Sequence, residues 1–273
     1  MTPLLAMSLA PAITMGAVIG SFMSVVAVRV PPLVLDSPGG RVRLTRLFST
    51  LSWPGSHCTS CNTSLRWWDN IPLLSYLVLR GHCRKCHAAY GGKYFLLEAG
   101  GAAAGLASVY LYGWSAQGAL CFLFLSLLLV LCSIDFEEML LPDVLVFPLL
   151  PLGLLYQGWY GDGLVSACLG ALAAFAVMWA IGASYRLARK ADGLGGGDVK
   201  LAGALGAWLG IANIPFFLIG AFASGLVVMS AFLLISRSGI KNPLPFGPFL
   251  AFSAAVFVLI PQATAILTGL FAA

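Results

Sequence analysis

Apolar residues fill most of this chain in stretches approaching or exceeding helix length, separated by short polar turns and by one long polar interval. Eight stretches stand out, at approximately 4–28, 94–113, 117–134, 144–160, 163–184, 199–213, 215–236 and 246–270. A helix needs roughly 20 apolar residues to cross a hydrocarbon core about 30 Å thick, so the pattern predicts an all-α polytopic membrane protein with about eight transmembrane helices. The stretches are continuously apolar and lack the period-2 alternation of a barrel with a polar lumen. The sixth is short: about 15 residues rise only about 22 Å, which predicts local thinning of the bilayer around it. Asn213 and Pro215 mark its end. Apolar stretches recur almost to the last residue, which argues against reading the first as an export signal on a soluble protein.

Residues 30–93 form the long polar interval, and Pro31, Pro32, Pro38, Gly39 and Gly40 are expected to stop the first helix from running into it. The expected organisation is a first transmembrane helix (1–29), a small cytoplasmic domain (30–93) and a membrane domain of about seven helices (94–273). Other connections are short, apart from the glycine-rich loop Ala191 to Asp198 and the cluster Pro243, Pro245, Gly247, Pro248. The run Gly100-Gly101-Ala102-Ala103-Ala104-Gly105 reads as a close-packing helix surface. No internal repeat is evident.

Composition agrees with the pattern: 60% of the 273 residues are hydrophobic and 9% charged, with a mean hydropathy of +0.94. Charge adds an orientation. Of 15 basic residues, nine lie between Arg29 and Lys93, four (Arg186, Arg189, Lys190, Lys200) follow the fifth stretch, and Arg237 and Lys241 follow the seventh. With eight crossings all fall on one side, which the positive-inside rule makes cytoplasmic, with both termini outside. The net charge of +5 then reflects topology, and anionic lipid headgroups are the expected neighbours. Nucleic acid is not an expected partner, because no separate basic soluble domain exists. Nothing in the pattern fixes an oligomeric state.

Two features carry chemistry. Cys58-x-x-Cys61 and Cys83-x-x-Cys86 lie in the polar interval. Two such turns facing each other build the tetrahedral four-thiolate site that Zn(II) favours, and a reducing cytoplasm disfavours disulfides there. A redox pair and metal-free thiols are the alternatives. His57, His82 and His87 flank the cysteines and are possible substitute ligands, whereas Cys121, Cys132 and Cys168 fall in apolar helices and read as packing residues. A segment with so few large apolar residues is expected to draw folding free energy from the metal.

The second feature is carboxylates at the membrane edge, where ionisable groups are costly and point to function. Asp135 ends the third stretch, and Asp198 follows Gly195-Gly196-Gly197 at the start of the sixth. Two crossings separate them, so topology lets them meet. Two aspartates sharing one proton hydrolyse peptides, one activating water and the other polarising the carbonyl. Gly195 and Gly197 would let a substrate backbone come close. Helix N-capping is the bland alternative, and Asp143 after Pro142 fits it well. A proton-coupled transporter is the functional rival, although its site would be expected near mid-membrane.

These residues resemble a known family, the bacterial prepilin peptidases. Gly20-Ser21-Phe22-Met23-Ser24-Val25-Val26 with Arg29-Val30-Pro31 is similar to its N-terminal signature, Ser24 standing where many members carry Asn. Trp68-Asp69-Asn70-Ile71-Pro72, Ser75-Tyr76-Leu77 and Arg80-Gly81 resemble its cytoplasmic domain. Ile134-Asp135 through Leu141-Pro142-Asp143 and the G-x-G-D run Gly195 to Asp198 resemble its two catalytic segments, and Pro245 to Ala251 its last one. The resemblance implies a cytoplasmic-membrane endopeptidase that removes basic leaders from type IV prepilins or type II secretion pseudopilins. Many members also methylate the new amine with S-adenosylmethionine. It implies Asp135 and Asp198 as catalytic, Cys58, Cys61, Cys83 and Cys86 as zinc ligands, and Gly81, with the retained Glu98, on the methyltransferase side. Ala89 to Phe95 departs from the family pattern. Basic leaders would also suit the acidic edge of Asp135, Glu137, Glu138 and Asp143, with Glu137 and Glu138 holding the leader.

Overall fold

The computed structural model describes residues 3–37, 42–58, 60–190, 193–235 and 244–260. Pro38, Gly39, Gly40, Ala191, Arg237, Lys241, Pro243 and the end of the eighth stretch, 261–270, lie outside them. The described residues form helices and turns joined by two isolated β-bridges, and fall into two compact units, Met1–Ser133 and Ile134–Ala273. This is a polytopic, all-helical membrane architecture. Among the described residues, five segments are long and apolar enough to cross a bilayer: Leu9–Leu35, Gly92–Tyr112, Ala116–Glu138, Leu164–Arg189 and Ile211–Leu234.

The first unit holds α1 (Pro3–Leu35), α2 (Leu44–Ser52), α3 (Leu74–Val78), α4 (Gly92–Tyr112) and most of α5 (Ala116–Glu138). α1 and α4 cross closely because both carry glycines at four-residue spacing, Gly16 and Gly20 on one and Gly101 and Gly105 on the other. A Cβ on Gly20 would sit 2.6 Å from the Leu97 carbonyl oxygen, and one on Gly101 would strike that of Gly16. Backbone contact of this kind supplies the dispersion that holds helices together in lipid.

α1 does not stop at its prolines. It continues through Pro31 and Pro32 to Leu35, and Asp36 N–H donates to Pro32 O at 2.9 Å. Proline fixes φ near the helical value, but it removes its own donor and crowds the carbonyl four residues back, so packing must offset that cost. Burial of Val30, Leu33 and Val34 holds the remaining turns.

The second unit contains the end of α5, α6 (Asp143–Val146), α7 (Leu149–Tyr160), α8 (Leu164–Arg189), α9 (Gly196–Leu209), α10 (Ile214–Ile235) and α11 (Gly247–Leu259). The stretch expected at 144–160 is two helices, broken before Pro148, which cannot donate to a preceding turn. α9 is the axis of this unit. Val199 and every residue from Leu201 to Leu209 are buried, with α7, α8 and α11 packed around it. Gly170 of α8 meets Gly206 of α9 backbone to backbone. Trp208 Nε1 donates to Leu149 O at 2.7 Å, and Gln157 Nε2 donates to Trp208 O at 3.1 Å. The neighbours of this short helix are protein on several sides.

Candidate active site

Asp135 lies one turn before the end of α5 and is only 4% exposed. Its position is set by a sharp turn. Met139 takes a left-handed φ of +49° and its N–H closes on Asp135 O at 3.0 Å, so the chain reverses at once into Leu141 and Pro142. The carboxylate is met by the first residue of α11: Gly247 N–H, unpaired within its own helix, donates to Asp135 Oδ2 at 3.0 Å. A Cβ at Gly247 would lie 2.6 Å from that same oxygen, so this position has no room for a larger residue.

Asp198 enters from the first turn of α9, whose cap residue is Gly195. Its N–H donates to Gly195 O at 3.1 Å. Asp198 Oδ1 is buried and has no protein hydrogen-bond partner, and Asp198 lies within electrostatic reach of Asp135. Asp135 and Asp198 thus converge in one unit. Leu141 wedges beside them, since a Cβ at Gly197 would fall 2.9 Å from Leu141 Cβ and one at Gly247 3.3 Å from Leu141 Cδ2. The glycines of this loop differ in use: Gly195 and Gly197 admit Asp198 Oδ2 and Leu141, while Gly196 is the position with open space around it. A cleft of about 570 Å³ opens beside Gly195 and Gly196, lined also by Phe175, Trp179, Arg186 and Lys200.

Asp143 does not cap α6. Pro142 holds the cap position, and the Asp143 carboxylate instead accepts from Lys200 Nζ at 2.8 and 2.9 Å, tying α6 to the first turn of α9. Glu137 and Glu138 are exposed at the end of α5.

In the first unit the sulfurs of Cys58, Cys61, Cys83 and Cys86 lie within 4.8 Å of one another, with Cys58 and Cys86 3.7 Å apart. Four thiolates at a Zn–S distance of about 2.3 Å would stand about 3.8 Å apart, so the set fits a tetrahedral zinc. The two turns are copies offset by 25 positions, a local repeat not evident in the sequence. Cys58 N–H donates to Thr63 O at 2.9 Å and Cys83 N–H to Ala88 O at 2.8 Å; Asn62 and His87 each take positive φ; and His57 bridges Ser64 as His82 bridges Ala89. His57 Nδ1 and His82 Nδ1 turn instead to the carbonyls of Gly55 and Arg80, at 2.9 and 2.7 Å. Backbone N–H groups of Cys86 and Lys85 pull the Cys83 thiol down to about 6, whereas, against a backbone hydrogen bond at Ala88, desolvation and the neighbouring sulfurs push the Cys86 thiol up to about 11.

Comparison with known proteins places both units. Residues 14–112 match the model of the bacterial peptidase A24 N-terminal domain, and residues 122–230 that of the type IV leader peptidase family. A Burkholderia pseudomallei (strain 1026b) protein named prepilin leader peptidase/N-methyltransferase is 36% identical over 260 residues, covering 91% of this chain and 84% of its own. Proteins of the same name from Dickeya chrysanthemi and Pseudomonas aeruginosa are 38% identical over 259 residues (89% of each chain) and 34% over 260 (90% and 88%). The chain belongs to the type IV leader peptidase family. No solved structure gives a significant match.

Within this family member, the two remaining residues singled out by resemblance have structural partners. Glu98 is buried in α4 and its Oε2 accepts Leu73 N–H at 2.8 Å, holding the positive-φ residue that opens α3. Gly81, at φ +71°, sits under the Tyr76 ring and its carbonyl accepts Tyr90 N–H at 2.6 Å. Gly247 and Leu141 are the site residues that residue-by-residue reading missed. The Pro/Gly cluster is the signal for Gly247, but only the fold shows that its N–H reaches a carboxylate.

Proposed function

We propose that this chain is an aspartic endopeptidase that cleaves the basic leader from type IV prepilins or type II secretion pseudopilins at the cytoplasmic face, with Asp135 and Asp198 as its catalytic pair. The observation that carries the reading is the convergence of Asp135, held by Gly247 N–H, on Asp198, whose Oδ1 lacks a protein partner. The relatives' names support the substrate class. Two close carboxylates share one proton. The ionised member takes a proton from water as it attacks the scissile carbonyl, and the protonated member donates to the carbonyl oxygen. Collapse then passes a proton to the leaving amine. Open space at Gly196 and the adjoining cleft give a peptide access, and Gly195 and Gly197 shape the loop around Asp198.

The same reading has about eight crossings, with α7, α9 and α11 among them, both termini outside the cytoplasmic membrane, residues 1–29 and 94–273 in the membrane and 30–93 as a cytoplasmic zinc domain. Arg186 and Arg189 in the last turn of α8 support the orientation. Cys58, Cys61, Cys83 and Cys86 would hold structural Zn(II), the fit resting on the sulfur spacing. The relatives' names also support methylation of the new N-terminus, for which S-adenosylmethionine supplies the methyl group when bound. Gly81 and Glu98 would contribute by shaping the loop around α3.

The test is co-expression with a prepilin and mass measurement of the product N-terminus, which separates cleavage from methylation in one spectrum. Asp135→Asn and Asp198→Asn should each abolish cleavage while the protein stays in the membrane, and Asp143→Asn should lose much less. Near wild-type cleavage by either of the first two would show that the pairing is wrong.

A further inference from the structure

α2 stands outside everything described so far. It spans Leu44–Ser52 and buries none of its residues, yet its sequence is sharply two-faced. At 100° per residue, Leu44, Leu47, Phe48 and Leu51 fall within an arc of about 100°, with Thr45, Ser49, Ser52 and Arg46 around the rest. Leu44 is 64% exposed and Phe48 65%, and Trp53 just beyond the helix is 78% exposed. Surface helices of water-soluble cores bury such a stripe. Here Leu47 and Leu51 are half-buried, and the Leu44–Phe48 edge of the stripe is presented.

Its position says what covers it. Arg29, six residues before the end of α1, donates from Nη1 to Thr50 O at 2.9 Å and to Leu51 O at 3.4 Å, and from Nη2 to Pro54 O at 2.6 Å. These are the free carbonyls at the end of α2 and just after it, so the arginine caps that end. At 1.5 Å per residue it does so about 9 Å back from the end of α1, beside the last turns of an apolar span that runs to Leu35. The cap thereby holds the end of α2 against the last turns of α1. Residues 42–55 contain no acid, and Arg43 and Arg46 are both exposed, Arg43 on the flank of the apolar arc. A short amphipathic helix with basic residues and an exposed Trp has the composition of an interfacial helix.

We infer that α2 lies in the cytoplasmic headgroup region of the bilayer that α1 crosses, with Leu44 and Phe48 among the acyl chains and Arg43 and Arg46 attracting anionic phospholipid. The Arg29 cap couples this surface helix to the span. The inference rests on α1 crossing the membrane and not on the peptidase reading, so its test needs no cleavage assay.

The experiment places p-benzoylphenylalanine at Phe48, or at Ser49 on the polar arc, of the full chain, and reconstitutes each in phosphatidylcholine vesicles with and without phosphatidylglycerol. Irradiation and mass spectrometry should find phospholipid adducts at Phe48 and at least about threefold fewer at Ser49. Arg43→Gln/Arg46→Gln should lower the Phe48 adducts about threefold in the phosphatidylglycerol vesicles and leave them unchanged in phosphatidylcholine alone. Equal adducts on both faces, cross-links to a second copy of the chain, or no adduct at Phe48 would each overturn the assignment.

Discussion

Gly247→Ala isolates the contribution of one backbone donor to the proposed dyad. The new methyl carbon would lie 2.6 Å from Asp135 Oδ2, where a carbon–oxygen contact needs about 3.3 Å, and 3.3 Å from Leu141 Cδ2 on another side. The carboxylate must therefore retreat by about 0.7 Å. That stretches the 3.0 Å hydrogen bond from Gly247 N–H out of range, a charge-assisted bond worth about 1.5–3 kcal/mol. Misplacing a reacting group by about 1 Å costs on the order of 100-fold, and both routes converge on a kcat lowered by about 30- to 100-fold. Gly247 does not take a positive φ, so alanine suits the backbone and folding should survive. The assay is cleavage of a purified prepilin by detergent-solubilised enzyme, with kcat and KM separated. Gly225→Ala, whose added carbon meets only ordinary contacts at 3.5 Å or more, is the control. Gly247→Ala retaining more than half of wild-type kcat would refute the view that Gly247 holds Asp135.

Three further outcomes follow from the same geometry. Purified protein should carry about one zinc per chain, lost in Cys58→Ser/Cys86→Ser by elemental analysis; metal loss should open residues 50–90 to protease while the membrane helices persist. Glu137→Gln/Glu138→Gln should raise KM for a basic-leader substrate about two- to fivefold at low salt with kcat nearly intact, and the defect should shrink as salt rises; an unchanged KM would exclude leader holding by these exposed groups. Gly101→Val should destabilise the α1–α4 crossing by about 1–3 kcal/mol, read as a lower unfolding midpoint in detergent titration, because its side chain meets the Gly16 and Gly20 backbones.

The helices were legible where length and apolarity alone decide them, as in α4, α5, α8 and α10. What sequence periodicity misjudged was the cost of proline: two in a row did not end α1, since buried Val30, Leu33 and Val34 outweigh two missing donors, while a single Pro148 split the fourth stretch. α9 is as short as its apolar stretch, and hydropathy alone does not show that its neighbours are protein. Topology alone let Asp135 and Asp198 meet, but Asp143 was read through its neighbour Pro142, and its partner Lys200 is 57 positions away. Spacing gave the cysteine pairs. The matching hydrogen bonds that make them two copies of one turn involve residues with no sequence likeness, Asn62 with His87 and Thr63 with Ala88.

The enclosure of α9 has a consequence for how the site tolerates its surroundings. Membranes change thickness with lipid and temperature, and a lipid-facing helix answers by tilting or by bending the bilayer. α8 and α10, with Leu187, Leu226, Val227 and Leu234 largely exposed, meet that demand. α9 takes its height from α7, α8 and α11, through Trp208 on Leu149 and Gly206 on Gly170. Asp198 is therefore gauged against protein, and its register with Asp135 should hold in bilayers of differing depth.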